Sequence, residues 1–84
     1  MRRRSLKPPD SSLLSLGEVV KALRAEAGLT QEGLAAQAGI DPSYISHIER
    51  GDRNPTWAAL GRLSQGLRVP RWVLVKRVDE LGRG

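Results

Sequence analysis

The chain is 84 residues long and 39% hydrophobic, with no Phe, two Trp and one Tyr, which leaves room for one compact domain with a core of Leu, Val, Ile and Ala. The absence of cysteine and a single histidine exclude disulfides and thiolate chemistry and argue against a metal site. A net charge of +5 favours a polyanionic partner, nucleic acid ahead of an anionic membrane, while no apolar run reaches signal-peptide or membrane-span length, so a cytoplasmic protein is expected.

Residues 1–12, MRRRSLKPPDSS, carry Arg2, Arg3, Arg4 and Lys7 against Asp10, a net +3 that leaves +2 for the rest. A charge run with a Pro-Pro pair and three serines buries no apolar area and reads as a flexible basic arm. It is either an ordinary solvated terminus or a grip on phosphate. From Leu13 onward, Leu16, Val20, Leu23 and Ala27 recur at helical spacing and predict helix 1. Gly28 then stands where a left-handed cap is needed, and Thr30 offers an N-cap for helix 2 over Gln31–Ala38.

Gly39 and Ile40 interrupt that helix. Asp41 caps and Pro42 starts helix 3, over Pro42–Arg50. Gly51 ends it, a polar loop follows, and Thr56 caps helix 4 with Trp57, Leu60, Leu63 and Leu67 along one side. Gly61 weakens that helix. The final segment mixes strand-favouring valines with helical spacing at Leu74, Val78 and Leu81, and is read as helix 5. Trp72 and Val73 are then surplus to the core and offer a dimer surface. The domain is expected over 13–81, with a short tail at 82–84.

The functional argument rests on residues 31–50. Ala35 is small where the next helix should pass, Gly39 can take a positive φ, and Ile45 and Ile48 share one face, with Leu34 and Ile40 completing the packing. If the two isoleucines point inward, Ser43, Ser46, His47 and Arg50 point outward, with Pro42 and Tyr44 near the boundary. Hydroxyls, an imidazole and a phenol can reach base edges or phosphates in a DNA major groove. Taken singly, each is an ordinary solvated residue. For His47 as a catalytic base, nothing supplies an orienting carboxylate and a nucleophile together, so no enzyme, catalytic residue, cofactor or metal is expected.

The runs LRAEAGLTQEGLAAQAGI and DPSYISHIERGDRNPT resemble the Cro/CI-like helix-turn-helix family, also called the xenobiotic-response-element family, over about residues 13–81. The resemblance implies an all-α, five-helix lambda-repressor-like domain. It implies that Gln31 contacts a phosphate, that Ser43, Tyr44, Ser46 and His47 face the groove, and that Arg50, Arg53 and Asn54 flank them. Members often pair an Arg near the end of helix 1 with the Glu that ends helix 3, here Arg24 and Glu49, leaving part of the guanidinium free for phosphate. Gly33 and Trp57 depart from the family pattern at packing positions, and Pro42 offers no side-chain donor.

The function expected is sequence-specific binding of double-stranded DNA by a transcriptional regulator of bacterial or phage type, with residues 42–50 as recognition helix. One short helix reads few base pairs, so a homodimer through helix 5 on a palindromic operator is expected. Small proteins of the family resemble restriction-modification controllers, phage-type repressors or antitoxins. The rival reading is an antitoxin or adaptor that uses the same helices to hold a protein partner.

Overall fold

The computed structural model describes residues 11–83. These form five helices: α1 (Ser11–Glu26), α2 (Gln31–Ala38), α3 (Pro42–Arg50), α4 (Trp57–Leu67) and α5 (Arg71–Arg83), with no strand among the described residues. The expected basic arm lies outside the described residues except for Ser11 and Ser12. Those two already belong to α1, which starts two positions before Leu13. At the other end α5 extends through Gly82 to Arg83, into the segment expected as a tail.

Local chemistry explains most helix boundaries. Thr30 Oγ1 accepts the Gly33 N–H at 2.9 Å, Asp41 Oδ1 the Ser43 N–H at 2.8 Å, and Thr56 Oγ1 the Ala59 N–H at 3.0 Å. Each such N-cap contributes about 1 kcal/mol. Gly39 ends α2 at φ 69° and Gly51 ends α3 at φ 79°, in the left-handed region where a side chain is strained. At the end of α4 that conformation falls to Arg68, at φ 61°. It is the described non-glycine residue with positive φ.

Leu34, Ile45, Ile48, Leu63 and Val20 are fully buried and join α1, α2, α3 and α4 around one core, which Leu16, Val19, Leu23, Ala35, Ala38, Leu67 and Leu74 extend. α1 packs against both α3 and α5, and α2 packs against α3 and α4. Two glycines permit close crossings. A Cβ on Gly17 would meet the Ile48 and Glu49 carbonyl oxygens of α3, and one on Gly66 would meet Leu34 and Ala38 of α2. At Ala35 the expected small contact is buried.

Three core expectations are corrected. Ala27 lies in the turn after α1 and is exposed, because the helix ends at Glu26; Val19 is buried on the helix instead. Trp57, at the first turn of α4, is 62% exposed, and its ring lies under the Arg71 guanidinium, 4.8 Å from the ring centroid. Leu81 is exposed at the edge of the α1–α5 contact, beside Glu18, Val19 and Ala22, although Leu74 is buried and Val78 packs on the core. Gly61, read as a weak point of α4, leaves the space that the Arg71 guanidinium occupies.

Candidate nucleic-acid interface

Two short helices and a left-handed turn position the site. α2 ends at Gly39, Ile40 packs partly on the core, and α3 begins on the Asp41 cap, so α2 and α3 cross over Leu34, Ala35 and Ile45. α3 is strongly two-sided. Ile45 and Ile48 have no solvent exposure, whereas Ser43 and Arg50 are exposed and Tyr44, Ser46 and His47 are partly so.

The scaffold behind this face is an ion pair. Arg24 Nε donates to Glu49 Oε2 at 2.7 Å and Nη2 to Oε1 at 3.0 Å, a bidentate arrangement across α1 and α3. Nη1 also donates to the Leu29 carbonyl at 2.9 Å, leaving one N–H on each terminal nitrogen. Gln31 Nε2 donates to Glu49 Oε1 at 3.0 Å, so the residue expected at a phosphate is tied to the same carboxylate. The side chains of Arg24 and Glu49 are 16% and 5% exposed. Burial raises the Glu49 pKa, but hydrogen bonds from Arg24 and Gln31, helped by the charges of Arg24 and Lys21, outweigh it and hold the carboxyl below its ordinary range. Arg24 is correspondingly pushed up by its hydrogen bond to Glu49.

The outward face carries its own polar network. Ser43 Oγ donates to Asp41 Oδ1 at 2.7 Å, and this bond with the capping amide keeps Asp41 below the usual carboxylate range. Arg50 Nη1 donates to Ser46 Oγ at 2.8 Å, and its Nε lies 3.4 Å from Asp52 Oδ2. His47 Nδ1 stands 2.8 Å from Asp52 Oδ1. Asp52 is held below its ordinary range chiefly by that hydrogen bond. An orienting carboxylate therefore stands beside His47. Its signal was Gly51, whose left-handed turn folds the next residue back on α3, with the Asp52 N–H donating to the His47 carbonyl at 3.1 Å.

Arg53 lies over the Tyr44 ring at 5.9 Å from the centroid, which keeps it beside the helix face. Asn54 is not gathered with the others. It lines a small cleft with Ser12, Leu60 and Val78, toward α1 and α5. On α5, Trp72 is 63% exposed and Val75 is exposed as well, whereas Val73 is half-buried. Sequence reasoning singled out Val73 and missed Val75. Among the described residues no group of three or more His, Cys, Asp or Glu side chains is placed to hold a metal, and no helix is long and apolar enough to cross a membrane.

A buried crossing of two helices with a polar second helix defines a helix-turn-helix protein, and residues 15–78 match the family described as a helix-turn-helix domain. The chain belongs to that family, a class of DNA-binding transcriptional regulators. It is 45% identical over 65 residues to the uncharacterized HTH-type transcriptional regulator y4dJ of Sinorhizobium fredii, covering 77% of this chain and 84% of that protein. Some relatives are longer: with the HTH-type transcriptional repressor RghR of Bacillus subtilis the identity is 40% over 57 residues, or 67% of this chain and 42% of that protein.

Among solved structures, a mutant of the restriction-modification controller protein C.Esp1396I matches with a TM-score of 0.82 and 34% identity, over 88% of this chain and 94% of that one. The tetramer of that controller in complex with its natural 35 base-pair operator matches with a TM-score of 0.78 and 37% identity, over 84% of this chain and 93% of that one. The Cro/CI-like resemblance, the five-helix fold and the DNA-binding class expected from the sequence all hold.

Proposed function

We propose that the chain binds a two-fold operator as a homodimer, with α3 in the major groove of each half-site. One observation carries this reading: α3 buries Ile45 and Ile48 completely while its opposite side, with Ser43 and Arg50 exposed, is polar. Ser43, Tyr44, Ser46 and His47 read base edges. Arg50 and Arg53 grip phosphates beside them, with Gln31 at the start of α2 and the two remaining N–H groups of Arg24 near the end of α1. The likeness to a controller bound to its operator supports regulation of transcription, and we assign the protein to the bacterial or phage-infected cytoplasm, where its DNA lies.

The homodimer forms through α5, where the exposed Trp72 and its neighbours Val73 and Val75 offer apolar area. A protein partner on that same face is the second reading, favoured by the exposure of Trp57 and Trp72 together. Selection of the full chain against a randomised duplex library, followed by titration of the selected site at several salt concentrations, tests the proposal. A symmetric selected sequence and a steep salt slope are expected. Recovery of no preferred sequence would leave the protein-partner reading in its place.

A further inference from the structure

The Nδ1 atom of His47 faces two groups with incompatible demands. Asp52 Oδ1, at 2.8 Å, can only accept a hydrogen, and Arg50 Nη2, at 3.0 Å, can only donate one. A ring nitrogen bears either a hydrogen or an in-plane lone pair, so it satisfies one neighbour at a time. When Nδ1–H donates to Asp52, the neutral ring presents the Nε2 lone pair. When Nδ1 accepts from Arg50, the neutral ring presents Nε2–H. The choice at Nδ1 thus decides what the other edge of the imidazole offers.

We propose that Asp52 is a specificity-determining positioning residue: it keeps the proton on Nδ1 of His47, so that Nε2 reads the recognition face of DNA as a hydrogen-bond acceptor. This rests on the reading that His47 faces base edges. Both bonds to the ring are charge-assisted, and the carboxylate is the nearer neighbour. Arg50 has other partners, Ser46 Oγ at 2.8 Å and Asp52 Oδ2 at 3.4 Å, and a DNA phosphate draws it further from the ring. An acceptor at Nε2 matches the exocyclic amino groups of adenine and cytosine; an Nε2–H matches N7 of either purine, O6 of guanine and O4 of thymine. Phosphate capture by Arg50 and base readout by His47 are thereby coupled through one carboxylate.

Asp52 is 51% exposed at the side chain, and its backbone N–H bond to the His47 carbonyl does not involve the carboxylate, so Asp52→Ala leaves α3 and its cap folded. His47 is the single histidine of the chain, so the imidazole nitrogen resonances of a uniformly 15N-labelled sample belong to one ring. On the full chain at alkaline pH, the wild type is expected to show the Nδ1–H tautomer. Asp52→Ala should shift the ring toward Nε2–H, and Asp52→Asn, whose carboxamide oxygen still accepts, should restore much of the wild-type signature.

Selection from a randomised duplex library supplies the second measurement. The base pair whose preference is lost in His47→Ala should change its preferred identity or orientation in Asp52→Ala by roughly tenfold in relative affinity, with the other positions unchanged; the same preference in Asp52→Ala as in the wild type overturns the proposal. An unchanged tautomer in Asp52→Ala overturns the proposal even if the DNA reading stands. A shifted tautomer with a library preference insensitive to His47→Ala overturns the groove-facing role of His47, and the specificity role of Asp52 with it.

Discussion

Gly17 of α1 lies directly against Glu49 of the recognition helix: a Cβ at Gly17 would come within 2.5 Å of the Glu49 carbonyl oxygen and 2.7 Å of the Ile48 carbonyl oxygen. Both obstacles are backbone atoms, so relief requires the two helices to separate. The better helix propensity of alanine, about 1 kcal/mol, cannot offset that. Gly17→Ala is expected to lose about 1–3 kcal/mol of stability, lowering Tm by roughly 4–8 °C per kcal/mol. Thermal unfolding followed by circular dichroism checks it; an unchanged or raised Tm would show that the crossing tolerates a methyl group.

The ion pair behind α3 makes a prediction of opposite logic. Arg24→Leu alone leaves the Glu49 carboxylate, 5% exposed at the side chain, with Gln31 as its remaining side-chain donor among the described residues, and should cost about 1–3 kcal/mol. Arg24→Leu combined with Glu49→Leu removes both charges and should recover much of that loss. Chemical denaturation of the two variants decides the matter, and a double variant no more stable than the single one contradicts it.

Acid should act through the same carboxylate. Glu49, Asp41 and Asp52 are all held below their ordinary values in the folded chain. Their contribution is therefore complete above the ordinary carboxylate range and is lost as pH falls through the lowered folded values. Tm is expected to fall across that acidic window, and Glu49→Gln should flatten the dependence. A Glu49→Gln protein that follows the wild-type curve throughout would remove Glu49 from this account.

On DNA, Arg53→Ala should weaken binding to the selected sequence and to random duplex alike and reduce the salt slope by about 1, since a phosphate contact carries no base information. Ser46→Ala should instead penalise the selected sequence more than the random one. Fluorescence anisotropy at several salt concentrations separates the two patterns. Equal losses on both duplexes for Ser46→Ala would argue against its groove contact.

Trp72, being 63% exposed, can be replaced without opening the core. Trp72→Glu is expected to leave Tm of the dilute protein nearly unchanged while shifting the sedimentation profile from dimer to monomer and weakening binding to a symmetric site. If the variant still sediments as a dimer, the pairing surface lies elsewhere.

Much of this architecture was readable in the chain because the relevant physics is local. Thr30, Asp41 and Thr56 cap amides three residues away or fewer, and Gly39 and Gly51 sit where a left-handed residue must end a helix. The Arg24–Glu49 pair joins residues 25 positions apart and was expected only through family resemblance. Gly17 against α3, and Arg71 between Gly61 and Trp57, stayed hidden because nothing in the spacing of a sequence says which faces of distant helices come closest. For the same reason the exposure of Trp57 does not follow from its spacing. The approach of Asp52 to His47 depends on the turn at Gly51, not on helical period.

One rod, α1, touches both the DNA-reading helix and the helix that carries Trp72. At 16 residues it is about 24 Å long, comparable with the radius of a DNA duplex plus one helix. In the proposed pair of chains joined through α5, these rods would be the fixed arms of a caliper, with the gap between the two tips set before any duplex arrives. Duplexes whose halves fell out of step with that gap would have to twist or bend to be held at both ends, which would place part of the selectivity in bases that no side chain meets.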